Sequence, residues 1–272
     1  MVKVIGCIPA KLESRRLPRK ALEDVHGKSL LHRLVERMQN LSSMIDEVCL
    51  CTVKNENNMT LVQKAEEWSI PYNRGPELDV LANYIAATEK AGGDHFLRIT
   101  GDNIFTDPYY IDEMTRLHIE HGAGYSRVDG LPGGMTAEAM SLEAAKSLHE
   151  RMSEDIRNST EYLTLYSYDP ENLKVLVLDA APKYARPNYS VTVDTPADLE
   201  LVRKIWAAFP DEKFGPDIDQ IIGWLDAHPQ ERIEVDETAM VRLPGDKVMS
   251  FTDFAADLAR RKEKAQVRLI AA

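Results

Sequence analysis

Only three cysteines occur in the 272 residues, and two of them, Cys49 and Cys51, alternate within one apolar run. That spacing suits buried, reduced thiols on a strand; a disulfide framework or a zinc site needs a different pattern. No apolar run approaches the roughly 20 residues that span a bilayer, and the opening "MVKVIGCIPA" reads as a strand without a cleavable signal pattern, so a cytoplasmic protein with no membrane partner is expected. Basic residues are in the minority: 33 Lys and Arg stand against 44 Asp and Glu, and the net charge of −11 disfavours general affinity for nucleic acid or an anionic membrane. The G-x-G-x-x-G fingerprint of a dinucleotide fold is missing after the first strand. A Walker loop is missing too, since "HGKSL" supplies Gly27, Lys28 and Ser29 but Leu22 stands where that motif needs a glycine. Internal repeats and low-complexity linkers are likewise absent.

What is present is a regular alternation of short apolar runs and amphipathic stretches, the pattern of an α/β protein long enough to bury a sizeable core. Strands are predicted over residues 2–8, 47–53 and 95–100, and helices over 30–38, 59–68 and 78–91. Consecutive strand, helix, strand units imply a parallel sheet whose ligand crevice lies beyond the carboxyl ends of its strands. The second half is less regular. "EYLTLYSY" fits helix or strand, "LKVLVL" a strand, and "DTPADLELVRKIWAAF" a helix opened by Asp or Thr before Pro196. After Pro229, "ERIEVDETAMVRLPGDKVMS" reads as a small strand pair and the last 22 residues as a terminal amphipathic helix. The expected organisation is therefore a main domain over residues 1–229 and a C-terminal appendage over 230–272.

Against the acidic background, "IPAKLESRRLPRK" packs Lys11, Arg15, Arg16, Arg19 and Lys20 into the loop after the first strand. Loop backbone with Lys and Arg side chains is how proteins hold oligophosphate, so a nucleoside triphosphate is expected there. Its charge must be shared with a divalent cation, and magnesium takes one or two carboxylates beside phosphate oxygens and water. Asp102 in "LRITGDNIFTDP" and Asp194 in "YSVTVDTPADL" stand at strand ends suited to that task, although an Asp there more often caps the next helix. In "DGLPGGMTAEAM" the glycines let backbone approach a ligand, and Glu138 either binds an acceptor hydroxyl or amine or ends in solvent. Tyr162 is either packed or facing the acceptor. His118 and His121, three apart on one helix, read as a surface face rather than a metal site.

The order of "IPAKLESRRLPRK", "GKSLLHRLVERM", "GPELDVLANYIAAT", "RITGDNIFTDP", "EYLT" and "VTVDTPADLELVRKI" resembles the cytidylyltransferases of the CMP-sugar-acid synthetase group, particularly the spore-coat polysaccharide type, over residues 2–228. The resemblance implies a Rossmann-like nucleotidyltransferase fold: a mixed, mostly parallel sheet with helices on both faces. It implies that Lys11, Ser14, Arg16 and Lys20 contact the CTP phosphates, that Asp102 and Asp194 hold Mg2+, and that Gly75, Asp79 and Asn83 belong to the segment that selects the base. Lys20 and Arg16 would be the catalytic cations, Glu138 and Tyr162 the acceptor contacts, and the assembly a homodimer. The implied reaction is in-line attack by an anionic acceptor, a sugar acid or a small phosphate or phosphonate, on the α-phosphorus, with pyrophosphate leaving. The sequence departs from the family at Lys11, Glu13, Arg19, Asn83 and Tyr162, where Arg, a small residue, Gly, Arg and His are usual. Glu13 is the most conspicuous, because an acid beside a triphosphate opposes binding unless it points elsewhere. A nucleotide-sugar glycosyltransferase is the alternative enzyme class, but its metal motif pairs two Asp across one residue, and here Asn103 and Ile104 follow Asp102. A non-catalytic nucleotide-binding protein is the other alternative.

Overall fold

A computed structural model describes residues 2–157, 163–235, 238, 240–242 and 248–271. In chain order the strands are β1 (Val4–Pro9), β2 (Asp24–Val25), β3 (Lys28–Ser29), β4 (Glu47–Val53), β5 (Tyr72–Gly75), β6 (His95–Arg98), β7 (Tyr125–Asp129) and β8 (Glu138–Ser141). They continue with β9 (Val175–Asp179), β10 (Tyr189–Ser190), β11 (Ile233–Glu234), β12 (Met240–Arg242), β13 (Val248–Ser250) and β14 (Val267–Ile270). The helices are α1 (Leu30–Leu41), α2 (Met59–Glu67), α3 (Val80–Lys90), α4 (Pro108–Glu120), α5 (Leu142–Arg151), α6 (Glu154–Arg157), α7 (Thr164–Ser167), α8 (Pro196–Ala208), α9 (Ile218–Ala227) and α10 (Phe251–Glu263).

Eight strands form one sheet in the order β14-β9-β7-β8-β6-β1-β4-β5, parallel throughout except for β8, which pairs antiparallel with β6 and β7. The expected mixed, mostly parallel architecture is the one observed. Apolar side chains alternate between its faces, as strand periodicity requires. Val4, Val48, Leu50, Leu97 and Leu176 meet α1, α2, α4, α8 and α9 on one face. Ile5, Cys7, Cys49, Cys51, Phe96, Tyr125 and Val177 meet α3 and α5 on the other. The three cysteines are free and buried, as their spacing suggested.

Helix starts follow side-chain chemistry. Thr195 caps α8 in a reciprocal box with Asp198, and Asp107 and Asp79 cap α4 and α3. The tail differs from its expected form. The helix predicted to run to the end stops at Glu263, and Val267–Ile270 joins the main sheet beside Val175–Asp179. The alternation of "VRLI" is a strand signal four residues long, masked by the helix-forming "LARRKEK" before it. Its hydrogen-bond partner lies about 90 residues upstream, beyond the reach of local pattern.

Candidate functional site

β1 delivers the chain to the carboxyl edge of the sheet, where the basic loop folds back on itself. Leu12 N donates to Asn58 Oδ1 at 2.9 Å, and Ser14 N and Arg19 N both donate to Leu12 O at 3.0 Å. Arg19 takes a left-handed conformation (φ 59°), and a single helical turn, Lys20–Leu22, aims Lys20 inward. Its Nζ lies 2.7 Å from Asp102 Oδ2, 2.9 Å from Asp194 Oδ1 and 2.9 Å from Val193 O. Arg16 reaches Asp194 Oδ2 at 2.8 Å from a side chain that is 65% exposed. Burial opposes the Lys20 charge, but Asp102 and Asp194 outweigh it and raise its pKa.

Local structure explains why these two carboxylates are available. A Cβ on Gly101 would stand 2.5 Å from Pro9 O, so only glycine lets the Asp102 loop cross the end of β1 so closely. Val193 N donates to Asp102 O at 3.0 Å, tying the two acidic loops together. Neither Asp caps the helix that follows it. Asp107 and Thr195 take those duties, which leaves Asp102 and Asp194 to converge on one point from loops 92 residues apart in sequence.

Glu13 points away from that point. Its carboxylate accepts from Asn58 Nδ2 at 2.9 and 3.1 Å and from Asn55 Nδ2 at 3.3 Å. Burial, the largest single influence, raises its pKa, but the amide donors together prevail and lower it. The acid that looked out of place therefore pins the loop to the start of α2. Ser14 is half-buried, its Oγ facing Leu17 N at 3.4 Å, and Lys11 is exposed.

Gly75, Asp79 and Asn83 form a separate cluster at the ends of β5 and α3. Asn83 is buried, donates to Thr52 O at 2.9 Å and accepts from Asn73 at 2.8 Å. A Cβ on Gly75 would meet its side chain at 2.4–2.7 Å, so the two residues fit as a pair. Asp79 caps α3 and contacts His149 Nε2 at 2.7 Å. All three side-chain positions are engaged in local structure.

Glu138 neither ends a loop nor faces solvent. It sits on β8, where Oε2 accepts from Arg98 Nη1 at 2.8 Å and Oε1 from Tyr125 OH at 2.8 Å and Thr164 Oγ1 at 2.6 Å. Burial works against its charge, but Arg98 and Arg127 with the two hydroxyls hold its pKa below the ordinary value. The glycines before it approach the chain's own backbone: a Cβ on Gly134 would lie 2.6 Å from Thr192 N, and Gly133 N donates to Tyr189 O. Tyr162 lies outside the described residues. His118 is fully buried, facing Ser126 Oγ at 2.7 Å and His95 Nδ1 at 3.0 Å, because α4 turns that position toward the sheet.

Sequence reasoning missed Asn58, Arg98, Arg127 and Lys262. Arg127 Nε donates to Asp129 Oδ1 at 2.6 Å and its guanidinium lies over the Tyr168 ring, 5.3 Å from the centroid. The available signal was an arginine within or closing a short strand, as in "YSRVD" and "HFLR". Among the described residues no group of three or more His, Cys, Asp or Glu side chains converges as a metal site. No helix among them is long and apolar enough to cross a membrane.

Comparison with known proteins follows the same geometry. The family model described as cytidylyltransferase matches residues 5–219. The spore coat polysaccharide biosynthesis protein SpsF of Bacillus subtilis is 26% identical over 240 residues, covering 86% of this chain and 98% of that protein. A cytidylyltransferase from Leptospira borgpetersenii superposes with a TM-score of 0.77 at 19% identity, over 85% of this chain and 97% of its own. CMP:2-keto-3-deoxy-manno-octonic acid synthetase complexed with CTP superposes with a TM-score of 0.59 at 16% identity, over 76% and 99%.

Proposed function

The chain belongs to the cytidylyltransferase family and is a nucleotidyltransferase, and on that premise we propose that it transfers CMP from CTP to an anionic sugar-acid acceptor, releasing pyrophosphate. The observation that carries this reading is the convergence of Asp102, Asp194 and Lys20 within 2.9 Å, with Arg16 at its exposed side. Two carboxylate oxygens directed at one point suit a magnesium ion, which completes its shell with phosphate oxygens and water. Magnesium would neutralise charge on the α-phosphate and the leaving pyrophosphate.

Lys20 holds the two carboxylates in a neutralised, converged arrangement before substrate arrives. With a cation held by Asp102 and Asp194, the Lys20 ammonium would donate to phosphate oxygens, and Arg16, Lys11 and Ser14 would extend the cradle along the loop. The acceptor oxygen forms its bond to the α-phosphorus as the bond to the bridging oxygen of the pyrophosphate breaks. A carboxylate or other acidic acceptor is already ionised, so no dedicated base is needed. Catalysis rests on positioning and charge, as in other phosphoryl transfers.

Two supports favour a sugar acid. The octonic acid synthetase shares the fold, and Arg127 stands in the middle of β7, opposite Glu138 of β8, with Nε engaged and, among the described residues, no further hydrogen bond from its terminal nitrogens. Glu138, with its three donors, orients Arg98 and Thr164 beside it. The Gly75 to Asn83 segment selects the base through backbone shape rather than through the Asn83 amide, which is already spent. A homodimer completes the reading, and light scattering in solution checks it.

The test is incubation with CTP and magnesium and a panel of sugar acids, sugar phosphates, phosphonates and neutral sugars, following pyrophosphate and the mass of any CMP adduct. A CMP adduct with a sugar acid is expected. Adducts from neutral sugars alone, or larger thermal stabilisation by UTP than by CTP, would overturn it.

A further inference from the structure

We infer that Lys262, in α10 and outside the span matched by the family model, is a positioning residue that keeps Arg127 available to an acceptor's anionic group; the inference rests on the acceptor reading above. Asp129 and Asp179 are register partners at the carboxyl ends of the parallel strands β7 and β9. Their side chains share a face of the sheet with Arg127. Two like charges in directly opposed positions repel, and here they are bridged: Lys262 Nζ pairs with Asp179 and lies 3.5 Å from Asp129 Oδ2. With Lys262 in place, two cations serve two carboxylates, and Arg127 needs only its Nε for Asp129. Without it, Arg127, already bonded to Asp129, is left beside both acids, and its forked guanidinium suits a bridge between them. That bridge would consume the terminal nitrogens and draw the guanidinium off Tyr168.

The rest of α10 fits this role. Arg261 Nη1 donates to Leu165 O at 2.8 Å and Tyr168 O at 2.6 Å, fixing the ring on which Arg127 stacks. Gln266 Nε2 donates to Pro170 O and Gln266 Oε1 accepts from Val175 N, both at 2.7 Å, which registers the tail against β9. The tail therefore reaches the side of the sheet that carries Arg127 and Asp129, and the Asp102, Asp194 and Lys20 cluster is held by other elements.

The experiment compares wild type, Lys262→Met, Lys262→Arg and the double variant Lys262→Met with Asp179→Asn, using 3-deoxy-manno-octulosonate as the acceptor probe with CTP and magnesium. In Lys262→Met the KM for the sugar acid should rise about tenfold or more, the loss of a charge-assisted hydrogen bond, while the KM for CTP and its thermal stabilisation stay near wild type. Lys262→Arg should retain the low KM. Removing the second carboxylate with Asp179→Asn should restore it in Lys262→Met, a rescue that a mere staple for the tail would not give. An unchanged acceptor KM in Lys262→Met, a parallel loss of CTP binding, or no rescue by Asp179→Asn overturns the inference while leaving the cytidylyl-transfer reading intact. If wild type adds CMP to no sugar acid, the acceptor reading itself fails and the inference falls with it.

Discussion

Lys20 occupies the point on which two carboxylates converge, and that makes its removal informative in two directions. Its side chain is 16% exposed, so Lys20→Met strips a well-buried counter-charge and leaves Asp102 and Asp194 facing each other unneutralised. Magnesium without nucleotide should then stabilise Lys20→Met against heat more than it stabilises wild type. Turnover should fall on the order of 10²-fold, as should that of Asp102→Asn or Asp194→Asn, whose loss removes charge stabilisation in the transition state. Equal magnesium shifts in Lys20→Met and wild type, read by thermal unfolding, would count against a two-carboxylate metal site. Gly75 and Asn83 permit a second test at this scale. A Cβ on Gly75 overlaps the Asn83 side chain, so Gly75→Ala should destabilise by about 1–3 kcal/mol. Asn83→Gly removes the obstacle, its Cβ at 2.6 Å included, and a urea-unfolding double-mutant cycle should show the pair costing less than the sum; strict additivity would mean the clash is relieved elsewhere.

Among elements, periodicity was a good guide where burial is one-sided and local. The strand predicted over 47–53 is β4 as observed, and the helix predicted over 78–91 starts two residues later because Asp79 caps it. Elements whose identity depends on distant partners were less legible. The helix of the tail gives way to β14, whose partner is β9, and Glu13 makes sense only once Asn58, 45 residues on, is seen beside it. The same holds for Arg37, which reads as one charge on an amphipathic helix. It is in fact buried: Nε donates to Thr106 O at 3.0 Å, and Nη1 to Phe214 O and Gly215 O at 2.9 and 3.2 Å. Burial lowers its pKa to about 10 against the opposing pull of Asp107 and Asp217, and the residue joins α1 to the loop after Asp102 and to the start of α9. Arg37→Met keeps the stem but orphans three carbonyls, so a loss of about 3–5 kcal/mol is expected in denaturant unfolding. A loss under about 1 kcal/mol would show that water replaces the guanidinium there.

Across the whole molecule, the candidate site was legible where charged residues are concentrated in short motifs and illegible where they are spread over strands and the tail. The basic loop, "TGD" and "VDTP" pointed to the cluster of Lys20, Asp102 and Asp194, whereas Arg98 and Arg127 come from strands that only the sheet order β7-β8-β6 gathers, and Lys262 joins them from α10 through Asp129 and Asp179. His118 belongs to that second class, since its spacing from His121 suggested a surface and the packing of α4 on β7 buried it instead. Its environment has a consequence for the stability of the entire fold in acid. Burial, with a smaller contribution from His95, depresses the His118 pKa to about 3, while in the unfolded chain it titrates near 6.5. Between those values the unfolded chain binds a proton that the native state refuses. Stability from this residue is therefore fully present above about pH 6.5 and declines at about 1.4 kcal/mol per unit as pH falls toward 3. The nearest titratable neighbour, His95, is also depressed by burial, against the opposing charge of Asp94, and adds to the same limb. Because carboxylates with lowered pKa such as Glu13 and Asp226 act in the same sense, the total slope is not diagnostic. The difference between wild type and His118→Gln is. Measured by urea unfolding at pH 7 and pH 5, wild type should lose about 2 kcal/mol more than the variant over that interval. Parallel losses would mean that His118 takes up its proton without opening the contact with Ser126, and that the acid limit of the fold is set by other groups.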